Sequence, residues 1–354
     1  MSRFFSSRFS TLTPYVPGEQ PKDQQYIKLN TNESPFPPAP KAVEMAAEAA
    51  RQLQLYPDPE CSVLVQKLAK LCGVSLEQVI LGNGSDELLN FAFMAFGDDA
   101  HPFLFPSISY GFYPVYAEIN HLPYTEVPLR DDFTVDLADY KGKNSTVILA
   151  NPNAPTGIAL NRSEIETLLQ ANPNNVVIID EAYVDFGGES CIPLVNQYEN
   201  LLVIQTFSKS RSMAGARLGF AVGSPALIRD LNTIKYSNNP YNINRMTMAA
   251  GIGVLESEDY TQANCRTIMD NRTWTTNALQ ALGFTVLDSK ANFIFARHPD
   301  MDGEALYLEL KRRGILIRHF TKPEICQWNR ITIGTLEQMQ ALVNTIRSIQ
   351  EEAL

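Results

Sequence analysis

Cysteine is scarce and dispersed: Cys61, Cys72, Cys191, Cys265 and Cys326 form no CxxC or CxxH pair, and the four histidines are spread as thinly. That spacing argues against a zinc site and offers no disulfide framework, so reduced thiols and no bound metal are expected. Positive charge is in deficit as well. With 29 Lys and Arg against 39 Asp and Glu, the formal net charge is -10. No basic cluster is present to neutralise phosphates, so a nucleic-acid partner is not expected. No apolar stretch approaches the roughly 20 residues that cross a bilayer. Met1 to Arg8 lack the apolar core of a signal peptide, and their Arg and Ser content resembles instead the start of a transit peptide. A cytoplasmic protein with no membrane partner is the expectation. Internal repeats and low-complexity tracts are also missing from the sequence.

What the chain has is apolar mass. Its 354 residues are 45% hydrophobic, enough for a substantial core and for two domains. From about Gln78 to Val222, strand-like runs (QVIL, STVILA, VVIID, LLVIQT, GFAV) alternate with helix-like segments such as Ser85 to Phe96 and Ser163 to Gln170. Alternation of this kind predicts an α/β layer with a largely parallel sheet, and in such sheets ligands sit beyond the carboxyl ends of the strands. From about Asn244 the texture changes. Long helical patterns reach Leu282, followed by short strand-like runs, a helix near Gly303 to Arg313 and a terminal helix from about Leu336. This stretch reads as a smaller α+β domain. The proline-rich Ser34 to Pro40 cannot be a regular helix or central strand. The expected organisation is an extended arm over 1–40 that packs on the small domain and a dimer partner, a large domain over 41–245 and a small domain over 246–354.

Two segments carry more chemistry than folding requires. In Gln205 to Arg217, Lys209 sits in a polar, small-residue turn between two apolar strand-like runs, which is the setting of a buried amine. Val176 to Tyr183 ends an apolar run on a carboxylate and a phenol, Asp180 and Tyr183. The pair suits a lysine that forms an imine with pyridoxal phosphate (PLP) and an aspartate that keeps the pyridine nitrogen protonated. An aspartate that caps a strand-end turn is the plainer alternative. Leu81 to Glu87 follows a strand and opens an amphipathic helix, so Gly84, Ser85 and Asp86 offer backbone N–H groups to an anion. A turn with Ser85 or Asp86 as helix cap explains the same residues. Ser208 and Arg217 flank Lys209 and add a hydroxyl and a guanidinium suited to a phosphate monoester, unless Arg217 is a surface charge. Tyr110 is a candidate to stack on the ring, although its tyrosine-rich stretch reads equally as core. Asn151 to Gly157 is a turn by composition, with side-chain amides available to the ring oxygen. Arg318 and Arg330 offer planar forks for a carboxylate; a solvated ion pair accounts for either one equally.

In this order and over nearly the whole chain, the motifs closely resemble those of fold-type I PLP-dependent aminotransferases, and in particular the histidinol-phosphate subgroup. The matching segments are Leu12 to Tyr15, Lys28 to Glu33, Tyr56-Pro57, Gly84 to Glu87, Asn151 to Gly157, Asp180 to Tyr183, Ser208-Lys209, Arg217 and Arg330 to Thr335. The resemblance implies an α/β fold with a mostly parallel central sheet in a large domain, plus a smaller α+β domain. It implies Lys209 as the imine-forming lysine, Asp180 as the pyridinium partner and Tyr183 near the ring oxygen. Ser85, Asp86, Ser208 and Arg217 would hold the cofactor phosphate, joined by Tyr56 from the partner subunit of a homodimer. Tyr110 matches the stacking aromatic if Pro106 to Ser109 is read as two residues longer than usual. Arg330 matches the residue that holds the α-carboxylate of glutamate, and Tyr15 and Arg318 match residues turned toward a substrate phosphate. In one respect the chain departs from the family: Ala154 stands where an asparagine usually precedes Pro-Thr-Gly. Asn153, one step earlier, is expected to reach the ring oxygen instead. The implied reaction is amino transfer between L-histidinol phosphate and 2-oxoglutarate. Aminotransferases of aromatic or other amino acids and threonine-phosphate decarboxylases share most of these signatures, and a PLP-binding regulatory protein is the alternative from outside the enzymes.

Overall fold

The computed structural model describes residues 2–10 and 12–352. The chain opens as an extended arm whose short strand β1 (Ile27–Lys28) pairs in parallel with Ile315–Leu316, far along the sequence. The proline run ends where α1 (Pro40–Ala49) begins with Pro40 in its first turn, a position where the missing N–H costs nothing. Helix α2 (Ser62–Cys72) follows and stops at Gly73, which takes the left-handed conformation at φ +68.

Seven strands then build the central sheet. They are β2 (Val79–Gly82), β3 (Phe103–Pro106), β4 (Tyr124–Val127), β5 (Thr146–Ala150), β6 (Val177–Asp180), β7 (Leu201–Thr206) and β8 (Gly219–Gly223), in the spatial order β2-β8-β7-β6-β5-β3-β4. Only β8 runs antiparallel to its neighbours. Strands β3 and β4 are absent from the sequence-based expectation, for a local reason. The first is four apolar residues ending on Pro106, and the second exposes Thr125 and Glu126 at the sheet edge, so neither has the length or alternation that marks a strand.

The central runs are unbroken because both faces are covered. Val177, Ile179, Leu201 and Val203 enter one core, while Ile178, Leu202 and Ile204 enter the other. Helices α3 (Gly84–Phe96), α4 (Tyr113–Ile119) and α6 (Pro225–Asn238) cover the second face, and α1, α2, α5 (Arg162–Ala171) and α7 (Arg245–Leu255) cover the first. Ala250 and Val254 of α7 belong to the larger core. By packing, therefore, the expected boundary at 245/246 moves to the junction between α7 and the next helix, α8 (Glu258–Ala281).

The rest is a smaller layer: β9 (Thr285–Val286), β10 (Phe293–Arg297), α9 (Gly303–Arg312), β11 (Ile315–Leu316), β12 (Arg318–His319), β13 (Asn329–Thr332) and α10 (Leu336–Glu352). Strands β12-β13-β10-β9 form an antiparallel sheet. Its core takes in Leu29 of the arm, and Glu19 of the arm bonds Tyr307 and Lys311 of α9. No helix among the described residues is long and apolar enough to cross a membrane. The carboxyl ends of β5, β6 and β7 point the same way, so the loops after them and the start of α3 meet in one crevice beside the arm.

Candidate active site

A cavity of about 330 Å³ lies at that end of the sheet. Strand β6 delivers Asp180 to the cavity, and the residue is 5% exposed. The Tyr113 hydroxyl donates to Asp180 Oδ2 at 2.9 Å and the Ala182 N–H to Oδ1 at 3.2 Å. Among the described residues no cation pairs with it, and burial raises its pKa to about 6; a positive group placed beside it would reverse that shift. The turn after β7 delivers Ser208 and Lys209 to the same cavity. Lys209 Nζ donates to the Thr31 carbonyl at 3.2 Å, and its ammonium lies 5.8 Å from the centre of the Tyr183 ring. Burial, and after it the nearby Arg330 guanidinium, bring the Lys209 pKa down to about 8. The Tyr183 hydroxyl accepts from Asn32 Nδ2 at 2.9 Å.

Gly84, Ser85 and Asp86 open α3 at one side of the cavity. Gly84 has φ +79, and a Cβ there would lie 2.5 Å from Arg217 Nη2, so only glycine lets the guanidinium close over the helix start. Arg217 Nη2 donates to Asp86 Oδ2 at 2.6 Å, and the Tyr110 hydroxyl donates to Asp86 Oδ1 at 2.7 Å. The Ser208 hydroxyl accepts from Thr206 Oγ1 at 3.0 Å. Hydroxyls, a guanidinium and the N-terminus of a 13-residue helix surround one space, and these are the groups from which anion sites are built.

A second cavity of about 370 Å³ shares Tyr110, Ala154, Tyr183 and Lys209 with the first and continues outward. Tyr15, Arg318 and Arg330 line it. Arg330 Nη2 donates to the Asn30 carbonyl at 3.0 Å, its Nε is buried with no partner among the described residues, and its guanidinium stands over Phe293 and Phe320. Burial lowers the Arg330 pKa. Tyr15 rests on Phe112 with ring centroids 4.4 Å apart.

Two expected site residues lie elsewhere. Asn153 lines neither cavity. Its Nδ2 donates to the Ile108 carbonyl and to Thr156 Oγ1, at 3.0 and 3.2 Å, and its Oδ1 accepts from Ser109 Oγ at 2.8 Å. The amide is spent on holding the turn, and Ala154 is the residue that faces the cavities. This corrects the expectation that Asn153 reaches the ring oxygen: the one-residue offset carries its side chain beneath the loop. Tyr56 is 78% exposed and outside both cavities of its own chain; it stacks on Tyr241 at 4.6 Å. Two residues in the site went unassigned in the sequence. Asn32 holds Tyr183 from the arm with φ 56, a conformation Asn tolerates better than most residues, and Tyr113 holds Asp180 from the start of α4. Asn32 lies within the matched Lys28 to Glu33 motif, which was the available signal.

The lysine, carboxylate, phenol and anion site at the strand ends have the composition of a transaminase centre, and family comparison agrees. The chain belongs to the family described as aminotransferase class I and II, which it matches over residues 24–346. Among curated relatives it is 50% identical over 349 residues to the histidinol-phosphate aminotransferase of Acinetobacter baumannii (strain ATCC 17978), covering 98% of this chain and 97% of that protein. It is 49% identical over 350 residues to the histidinol-phosphate aminotransferase of Acetobacter pasteurianus, with 99% and 98% covered. The crystal structure of histidinol-phosphate aminotransferase from Sinorhizobium meliloti in complex with pyridoxal-5'-phosphate superposes with a TM-score of 0.87 at 26% identity, covering 98% of this chain and all of that one.

Proposed function

We propose that this chain is a PLP-dependent enzyme that transfers the amino group between L-histidinol phosphate and 2-oxoglutarate, giving imidazole-acetol phosphate and L-glutamate, a step of histidine biosynthesis. The observation that carries the proposal is the junction of the two cavities at Lys209, with the Asp180 carboxylate on one side and the Arg318 and Arg330 guanidiniums on the other.

The residues fit PLP on their own chemistry. Asp180 is a buried carboxylate with no cationic partner among the described residues and acceptor capacity to spare, which suits a protonated ring nitrogen. Ser85, Ser208, Arg217 and the α3 N-terminus would hold the phosphate, Tyr183 the ring oxygen and Lys209 the aldehyde, with Tyr110 against the ring face. When bound, PLP supplies a carbonyl for the amine and an electron-poor ring that stabilises negative charge on the substrate carbon.

The chain's own residues do the rest. Asp180, ionised beside a cation, would keep the ring nitrogen protonated. Lys209 Nζ, displaced by the substrate amine, would take the proton from the substrate carbon and return it to the carbon that had been the cofactor's carbonyl; enclosure that lowers its pKa to about 8 in the cofactor-free protein favours the neutral amine that such a transfer needs. Tyr183, fixed by Asn32, would bond the ring oxygen. Arg330 would hold the α-carboxylate of glutamate, and Tyr15 and Arg318 the phosphate of the amino substrate. A homodimer in the cytoplasm completes the proposal, with Tyr56 of each chain reaching the partner's cofactor phosphate.

The test is a half-reaction. Protein loaded with PLP should lose its cofactor colour on mixing with L-histidinol phosphate and regain it with 2-oxoglutarate. Lys209→Ala should lose at least roughly a thousandfold in turnover with an unchanged circular-dichroism spectrum. Full turnover by that variant, or bleaching by phenylalanine or threonine phosphate with none by L-histidinol phosphate, would refute the assignment.

A further inference from the structure

The charged side chains that line the outer cavity are all of one sign. Lys209, Arg318, Lys322 and Arg330 line it, and among the described residues no aspartate or glutamate does; Glu33 and Asp86, which act on Lys209, and Glu19, which acts on Arg318, stand outside the lining and pair with Lys28, Arg217 and Lys311. Each of the four donates to a neutral backbone carbonyl: Lys209 to Thr31 at 3.2 Å, Arg318 to Val16 at 3.3 Å, Lys322 to Ser107 at 2.8 Å and Arg330 to Asn30 at 3.0 Å. None of them forms a salt bridge among the described residues. Cations gathered round one cavity repel each other, more strongly where water is excluded, and the arrangement becomes favourable when anionic groups fill the space. Chemistry at the amine accounts for Lys209, an α-carboxylate for Arg330 and a distal phosphate for Arg318. Lys322 has no such role.

Lys322 lies in the loop between β12 and β13 of the small domain, and its acceptor, Ser107, directly follows β3 of the large domain. The loop is fixed: Phe320, Ile325 and Trp328 pack with Phe295 and with Ile108, the residue after Ser107. Joining the two domains here needs only a neutral donor, and a lysine adds positive charge where three cations already stand. Its charge therefore calls for a separate reason.

We propose that Lys322 is a specificity-determining residue which, together with Arg318, receives the dianionic phosphate end of the amino substrate and so separates phosphorylated amines from unphosphorylated ones. The proposal rests on the assignment of L-histidinol phosphate as donor and deepens it. An ammonium serves a phosphate as a compact point charge beside the planar fork of an arginine. The Ser107 carbonyl holds that ammonium at the cavity before the ligand arrives, which limits the side-chain entropy lost on binding.

Half-reaction kinetics with L-histidinol phosphate and with L-histidinol, on wild type, Lys322→Met and Lys322→Arg, test it. In Lys322→Met the ratio of kcat/KM for the phosphorylated amine to that for the unphosphorylated one should fall roughly 10- to 100-fold, mostly through KM, and Lys322→Arg should recover most of it. Competitive inhibition by inorganic phosphate should weaken in parallel. A domain tether alone would slow both amines equally, so an unchanged ratio with unchanged phosphate inhibition overturns the proposal. Because the ratio is taken within one preparation, a partly unfolded variant does not mimic the effect. Wild type that turns over L-histidinol phosphate while Lys322→Met keeps its ratio removes the role of Lys322 alone. Wild type inactive with that amine removes the substrate assignment, and this role with it.

Discussion

Lys209 shows what enclosure does to an amine. In the cofactor-free protein its pKa of about 8 means that the neutral amine, the form that attacks carbonyls, dominates above that pH. Reductive methylation of Lys209, followed by peptide mapping, should rise with a midpoint near 8, where an unburied lysine rises near about 10.4; a midpoint at the ordinary value would contradict the enclosed site. The stability sign follows from the same shift. Between about 8 and 10.5 the unfolded chain holds a proton that the folded chain has released, so this group favours the fold increasingly as pH climbs through that window. Lys209 was legible in the sequence because a lone lysine in a turn of small residues, between two apolar runs, has little solvent to face. Asn153 misled because a sequence offset of one residue leaves open which side of a loop a side chain takes.

At the scale of the element, the decisive contact is the start of α3 against β8. Gly219 pairs with Gly82 across the antiparallel β2-β8 ladder, and a Cβ at Gly219 would lie 2.5 Å from the Ser85 amide nitrogen and 2.6 Å from the Gly84 carbonyl carbon. These are backbone atoms that no side-chain rotation can clear. Gly219→Ala should push the first turn of α3 out of line, weaken PLP binding by roughly 10- to 100-fold and lower Tm, since misplacement on the scale of 1 Å costs that much in a preorganised site. Equilibrium titration of the cofactor checks it, and wild-type affinity in the variant would show that the helix start is not what holds the phosphate. The Gly84-Ser85-Asp86 motif was legible as a helix start; the demand on Gly219 was not, because its neighbour is more than a hundred residues away.

For the whole molecule, Tyr56 is the informative residue. It stands exposed beside Tyr241, its carbonyl accepts from Arg245 Nη2 at 2.7 Å, and it lies outside both cavities of its own chain. If each site borrows Tyr56 from a partner, a Tyr56→Ala chain and a Lys209→Ala chain, each weak or inactive by itself, should complement. Refolded as an equal mixture, random pairing makes about half the dimers mixed, each with one intact site, so about a quarter of wild-type activity should return. No recovery, with mixed dimers demonstrated by mass, would place Tyr56 outside the site.

The sequence by itself determined the layered α/β class, the strand-end location of Asp180 and Lys209 and the glycine-led start of α3, because each is written in a contiguous stretch whose period or turn chemistry leaves little choice. Tertiary structure alone decided which remote groups complete them: Asn32 on Tyr183, Tyr113 on Asp180, Ser107 on Lys322, and α7 with the larger core. Those partners come from distant parts of the chain, and hydrogen bonds and burial between distant segments are fixed by how whole layers pack, which no local pattern encodes.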